Sequence, residues 1–314
     1  MEKVKILVTG GAGFIGSNIV ERLSENGTQV RVLDNFSTGK RENLKFQKSF
    51  PLEVMEGDLC DLNTCRRACE NIDFVLHQAA IPSVPKSVVD PITSNEANVQ
   101  GTLNLLVAAR DAGVKRLVYA SSSSIYGDTP IMPKREDMTP LPLSPYAITK
   151  LTGEYYCQVF YRLYGLETVV LRYFNVFGPR QDPNSQYAAA IPRFITALLS
   201  NGPPTIYGDG NQSRDFTYVR NVVEANIQAL EARGAEGEVF NIACGESITI
   251  NELVKKMKKI LNSNIQPIYT DSRPGDIRDS LADISRARRI LGYKPSESLE
   301  TGLAETINFF RTHG

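Results

Sequence analysis

Tyr146 and Lys150 stand four residues apart in the stretch Ser144-Pro-Tyr-Ala-Ile-Thr-Lys150, and a phenol one helical turn from an amine is a pair that can move protons. Ser144 is a preferred N-cap and Pro145 suits the first helical position, so a helix is expected to start here with both side chains on one face. A tyrosine titrates near pH ~10, and each unit of downward shift needs ~1.4 kcal/mol of differential stabilisation. The neighbouring ammonium is expected to supply it, and a second positive charge facing the pair would favour the phenolate further. Tyr146 would then take a proton from a substrate hydroxyl, which is the chemistry of alcohol oxidation. The same spacing occurs on any amphipathic helix, so the rest of the chain must provide the hydride acceptor and the substrate.

The hydride acceptor is written near the N-terminus. Lys3 to Thr9 (KVKILVT) reads as a strand, Gly10-Gly-Ala-Gly13-Phe-Ile-Gly16 as a tight turn, and the amphipathic stretch through Asn26 as a helix. Glycines at 10, 13 and 16 let the backbone turn sharply, approach a pyrophosphate and pack the helix on the sheet, while the helix N-terminus favours the anion. A second strand, Gln29 to Leu33, ends in Asp34, where a carboxylate accepts both ribose hydroxyls and repels a 2′-phosphate. NAD is therefore expected, with Lys40 and Arg41 leaving NADP as the alternative.

Beyond a third strand near Leu52 to Met55, Asp58 is read either as a partner of the adenine amino group or as the N-cap of the helix starting near Leu62. Asp73 to Gln78 is a fourth strand, followed by the small Ala79 and Ala80, and a long helical stretch from Asp90 to Ala112 carries Asn98. Lys115 to Ala120 is the fifth strand. It runs into Ser121-Ser-Ser-Ser124-Ile-Tyr126, either a hydroxyl relay to Tyr146 or a solvated turn. After the sixth strand, Glu167 to Leu171, the regular alternation stops. The fold class expected is α/β: a Rossmann-type doubly wound parallel sheet over 1–174, to which 213–243 return, and a smaller, discontinuous α/β substrate domain over 175–212 and 244–314. Thr249 to Glu252 is a capping box, and the lysines from Lys255 to Lys259 form a solvated face. Arg214, Arg273 and Arg278 can each bind two phosphate oxygens or take part in surface ion pairs.

Composition narrows the classes. The chain has 314 residues, 42% of them hydrophobic, enough for one large α/β domain with a companion, and Lys plus Arg equals Asp plus Glu at 35 each, so no field argues for nucleic acid or a membrane surface. Five cysteines without a disulfide or zinc framework fit a reducing compartment. Met1-Glu-Lys-Val leads straight into a strand and no apolar run is long enough for a bilayer, so a cytoplasmic protein is expected. With two histidines, His77 read as structural and His313 at the ragged end, neither a histidine triad nor a metal site is expected.

Thr9 to Gly16, Asp34, the Ser122 region and Tyr146 with Lys150, in this order over nearly the whole chain, resemble the extended short-chain dehydrogenase/reductase superfamily. Within it the chain is similar to the nucleotide-sugar 4-epimerases, and Arg172 to Pro192 (RYFNVFGPRQDPNSQYAAAIP) resembles the UDP-N-acetylglucosamine 4-epimerase branch. The resemblance implies Tyr146 as base, Lys150 as its modulator and Ser122 as hydroxyl partner. It implies a cofactor set of Gly10, Gly13, Phe14, Ile15, Gly16, Asp34, Asn35, Asp58, Leu59, Gln78, Ala79, Ala80, Asn98 and Tyr173, with Tyr146 and Lys150. For the UDP-sugar it implies Ser83, Ser122, Ser123, Tyr146, Asn175, Gln186, Tyr187, Arg193, Tyr207, Arg214, Arg273, Asp276 and Ser280.

Relatives that dehydrate or decarboxylate carry acids just after the catalytic Thr or Ser, where this chain has Ser123 and Ser124, so oxidation and return at C4 is expected. Ser280 falls where glucose-preferring relatives carry a tyrosine, leaving room for an N-acetyl group. The expectation is UDP-GlcNAc/UDP-GalNAc together with UDP-Glc/UDP-Gal. UDP-glucuronate epimerisation and a non-catalytic dinucleotide sensor are the alternatives. Relatives pair through the helices that correspond to Asp90–Ala112 and Pro145–Leu163, which implies a homodimer.

Overall fold

The structure, a computed structural model, describes residues 4–46, 52–183, 189–272 and 277–313. Six strands come first along the chain: β1 (Lys5–Thr9), β2 (Gln29–Asp34), β3 (Glu53–Glu56), β4 (Phe74–His77), β5 (Arg116–Ser122) and β6 (Glu167–Tyr173). Short strands β7 (Val176–Phe177), β8 (Thr205–Tyr207), β9 (Ser213–Arg214) and β10 (Thr217–Tyr218) follow, then β11 (Glu238–Ile242), β12 (Ile248–Thr249) and β13 (Ile268–Thr270). The helices are α1 (Phe14–Glu25), α2 (Leu62–Cys69), α3 (Val84–Val89), α4 (Pro91–Asn95), α5 (Gly101–Asp111), α6 (Pro145–Tyr164), α7 (Ala190–Leu199), α8 (Val219–Glu231), α9 (Ile250–Leu261), α10 (Ser285–Ile290) and α11 (Leu299–His313).

The central sheet has seven strands in the order β3-β2-β1-β4-β5-β6-β11, every pair parallel. Helical crossovers cover both faces, so the central strands β1, β4 and β5 are buried on both sides, while the edge strand β3 stays largely exposed. Ile6 and Val8 of β1 pack with Val32, Val118 and Leu171 on one face, while Leu7 packs with Leu33, Val75 and Leu117 on the other. This two-residue alternation fixes the register, because a slip by one residue would exchange the two cores. The chain winds outward from β1 to β3 and returns at β4, so the carboxyl ends of β1 and β4 bound the crevice where such sheets take ligands.

Two local fits bring the glycine turn, β4, β5 and α6 close together. Gly10 adopts φ +65°, and a Cβ there would lie 2.7 Å from the Ala79 Cα, so the turns after β1 and β4 touch. Gly153 on α6 sits directly over β5, where a Cβ would lie 2.2 Å from the Tyr119 hydroxyl. The stretch expected as one long helix from Asp90 is instead α4, a π-helical turn over Glu96–Gln100, and α5. Asp90 caps α4 by accepting from the Thr93 N–H at 3.0 Å, and Pro91 sets its first turn.

The second lobe is built from short pairs. β7 lies parallel to β10, β8 parallel to β13, and β9 antiparallel to β12. The segment containing α8 returns to the large sheet through β11, which pairs with β6 from Glu238 opposite Val169 to Ile242 opposite Tyr173. Phe194, Ile195, Leu253, Met257 and Leu303 of the second lobe continue the same buried cluster as Val8 and Val118, so no solvent layer separates the lobes. The capping box at Thr249 and Glu252 starts α9 as expected.

Candidate active site

α6 begins as its sequence dictates. The Ser144 hydroxyl accepts from the Ala147 N–H at 3.1 Å, Pro145 occupies the first turn, and the Tyr146 N–H donates to the Ser87 hydroxyl at 3.0 Å. Lys150 Nζ lies 6.0 Å from the Tyr146 ring centroid and donates to the Ala120 carbonyl at 2.8 Å. Burial brings the Lys150 amine down to about 8, against Cys157 and the Glu154 carboxylate, which hold it up. Burial also pushes the Tyr146 phenol up to about 12, with the Ser122 hydroxyl pulling the other way. This corrects one expectation: the lysine alone does not lower the phenol, because desolvation opposes the phenolate more strongly. Ser122 itself is fixed by accepting from the Ser124 N–H at 3.2 Å.

A cavity of about 1610 Å³ joins this pair to the glycine turn and to the second lobe. At the glycine end, α1 starts behind Gly13, which offers no side-chain cap, so the first-turn N–H groups beside the cavity suit a diphosphate. Asp34 closes β2 with each carboxylate oxygen braced by a backbone N–H, Ala12 at 2.9 Å and Phe36 at 2.8 Å. Of the two cations that left NADP open, Arg41 is ion-paired with Glu56 and lies 4.1 Å over the Phe36 ring, and Lys40 faces Asp182 at 3.9 Å. Asn35 donates to Asp58 at 2.7 Å beside Leu59 on the cavity wall. Asp61, not Asp58, caps α2, which removes the capping alternative for Asp58. Gly10, Gly16, Phe14, Ile15, Ala79 and Ala80 also line the cavity, and these residues together fit a dinucleotide.

Asn98 is placed differently. It is buried in the π-helical turn, outside the cavity wall, and its amide bonds the Ile81 N–H at 2.8 Å and the Thr149 hydroxyl at 3.1 Å. It ties the exit of β4 to the turn of α6 that carries Lys150. Tyr173 and Gln78 do reach the wall, and the buried Asn226 of α8 ties them from behind it, bonding Tyr173 at 2.8 Å and Gln78 at 3.0 Å. His77 is structural, held between Thr9 at 2.7 Å and Thr102 at 2.9 Å, and burial lowers it to about 3, so it stays neutral.

Across the cavity, Ser83, Ser123, Asn175, Arg193, Tyr207, Arg214 and Ser280 all form wall. Asn175 has φ +35° and donates to the Asp215 carbonyl at 3.1 Å and to the Ser280 hydroxyl at 3.5 Å. Arg193 lies 5.1 Å over the Tyr207 ring. Arg214 donates to the Ser213 carbonyl at 2.8 Å. Arg278 is not on the wall and pairs with Asp209 at 3.2 Å, so the surface ion pair is the reading that holds for it. Gln186, Tyr187, Arg273 and Asp276 lie outside the described residues.

The matching family model, NAD dependent epimerase/dehydratase, covers residues 6–243. The chain belongs to this family. A UDP-glucose 4-epimerase of Mycolicibacterium smegmatis is 39% identical over 98% of this chain and 99% of its own length. The structure of a UDP-N-acetylglucosamine 4-epimerase from Methanobrevibacter ruminantium M1, in complex with UDP-N-acetylmuramic acid, is 44% identical with a TM-score of 0.95 over 100% of both chains. A UDP-glucuronic acid 4-epimerase variant from Bacillus cereus, with a fluorinated UDP-sugar and NAD, is 35% identical with a TM-score of 0.91 over 98% of this chain and 99% of that one.

For a member of the NAD dependent epimerase/dehydratase family, two of the charged wall residues that escaped the sequence reading stand out by their burial and contacts. Lys134 is buried with its ammonium on the Thr129 carbonyl, and Arg180 reaches α1 from the second lobe. Neither sits in a periodic pattern. Arg180 was visible only as the residue after Gly178-Pro179 in the run that carried the resemblance.

Proposed function

We propose that the protein is a UDP-hexose 4-epimerase acting on UDP-GlcNAc/UDP-GalNAc and also on UDP-Glc/UDP-Gal. The observation that carries this is the single cavity in which Ser122, Tyr146 and Lys150 share a wall with a dinucleotide cradle at one end and with Arg193, Arg214 and Ser280 at the other. NAD, when bound, supplies a reversible acceptor for one hydride. Gly10, Gly13, Gly16 and Asp34 would hold it.

Tyr146 Oη, as the phenolate, takes the proton of the C4 hydroxyl and becomes the phenol; before the transfer Ser122 donates to the phenolate oxygen and Lys150 balances its charge. The 4-keto sugar turns about its diphosphate, which stays anchored on the second lobe, and Tyr146 returns the proton to O4 after the opposite face has been reduced. The residues following Ser122 on the wall, Ser123 and Ser124, bear hydroxyls. They offer no acid for elimination. The small Ser280 beside Asn175 leaves space for an N-acetyl group. We also infer a cytoplasmic homodimer, its contact the expected one of the Asp90–Ala112 stretch, through α4, with α6, extended to α3 because Val88 and Val89 are exposed beside them, and all five cysteines as free thiols.

Purified protein is incubated with each UDP-sugar, UDP-glucuronate included, and the epimers are separated. Interconversion of the acetylated and non-acetylated pairs without net NADH is expected; accumulation of NADH, or no turnover of any sugar, refutes the reading. Ser280→Tyr should shift the ratio of acetylated to non-acetylated activity at least about tenfold toward the latter, by overpacking the site. An unchanged ratio would remove the basis for the acetylated preference.

A further inference from the structure

Arg180 joins the two lobes at the glycine end of the cavity. It follows β7 in a left-handed backbone conformation, φ +70°, which carries its side chain back over α1. Its Nη1 donates to the carbonyls of Asn43 at 3.2 Å and Ser17 at 3.5 Å, and its Nη2 donates to Asn18 Oδ1 at 3.1 Å and is ion-paired with Glu21. The side chain is 11% exposed, and its Nε is buried without a partner.

Asn18 returns the contact by donating to the Pro179 carbonyl at 3.3 Å. Asn43 in turn donates to the Ala12 carbonyl at 2.8 Å, inside the glycine turn. Phe14, Lys40, Asn43 and Arg180 all line the cavity, so opposite walls are fastened together here by one planar cation with several fixed donors.

We propose that Arg180 is the residue that retains the dinucleotide: widening this end of the cavity to let the cofactor out requires breaking the Arg180 contacts with α1 and with Asn43. The inference rests on the reading of a resident NAD. Glu21 and Asn18 contribute from the α1 side, and a lysine in place of Arg180 would present a point charge that cannot span Asn43, Ser17 and Asn18 at once.

NAD release is followed by rapid filtration of NAD-loaded protein without any sugar, and UDP affinity by calorimetry on the same samples. Arg180→Ala is expected to release NAD at least about tenfold faster with UDP affinity within about twofold of the parent, the signature of a change in dissociation confined to one ligand. Arg180→Lys and Asn18→Ala should fall between, and they decide the matter if Arg180→Ala does not fold. Release at the parent rate in the folded variants overturns the proposal, as does an equal loss of UDP affinity. A parent protein that never retains NAD would instead overturn the resident-cofactor reading itself.

Discussion

At Tyr146 burial and hydrogen bonding act in opposite directions. Desolvation pushes the phenol up to about 12, and the Ser122 hydroxyl, donating to the oxygen, favours the charged form. A base has to be deprotonated, so its rate limb rises with pH and lies higher when its pKa is higher. Removing the Ser122 donor in Ser122→Ala must therefore move that limb to more alkaline pH and lower kcat/KM at neutral pH by about tenfold or more, while Ser122→Thr restores it. Tyr146→Phe should lose about 10²–10⁴-fold at every pH, its fold judged by circular dichroism. A Ser122→Ala profile superimposable on the parent would show that the hydroxyl does not touch the proton in flight. The pair itself was legible in the sequence because capping rules place both side chains on one turn. The direction of the phenol's shift was not, since burial is a property of the packed site and the lysine's charge is spent partly on the Ala120 carbonyl.

Among the elements, α6 is held where β5, β6 and β11 end by one buried polar cluster. Glu154 accepts from Arg172 Nε at 3.0 Å and Nη2 at 2.7 Å and also takes the Ser121 hydroxyl, next to Ser122. Arg172 Nη1 donates to the Tyr126 hydroxyl at 2.8 Å, which donates to Asn241 of β11 at 2.7 Å. Breaking such a pair from one side leaves a desolvated charge behind, so Arg172→Met and Glu154→Leu should each cost about 3–5 kcal/mol in urea unfolding, and the double variant less than their sum. Additive losses would mean the two groups do not support each other. Glu154 carries no motif, Arg172 was visible only as the first residue of the run that carried the resemblance, and their pairing is tertiary, whereas glycine turns, caps and apolar periods within one element could be read locally. The π-helical turn at Glu96–Gln100 eluded the reading for the same reason. Its purpose is to aim Asn98 at Ile81 and Thr149, and apolar period alone does not distinguish it from α-helix.

For the molecule as a whole, the surface on α3, α4 and α6 is where the homodimer proposed above would form. Val89 is 78% exposed, Ile92 71% and Leu163 70%, with Ile148, Tyr155 and Val159 exposed between them, a run of apolar side chains that a lone soluble chain seldom leaves to water. A twofold contact would lay α6 against its copy and bury the whole run at once, since each residue meets the same patch on the other chain. Ile148 belongs to the same turn as Tyr146, so the contact would brace Tyr146 as well as add stability. The parent protein should therefore be a dimer by light scattering at micromolar concentration, with a melting temperature that rises with protein concentration, as mass action requires when association favours the folded state. Val159→Asp would place a carboxylate in the middle of that apolar run on each copy, which the contact would have to desolvate. It should raise the dissociation constant at least about a hundredfold, about 2.7 kcal/mol, and abolish the concentration dependence. A parent protein that is monomeric, or a Val159→Asp variant that remains dimeric, would mean that this face meets something other than its own copy.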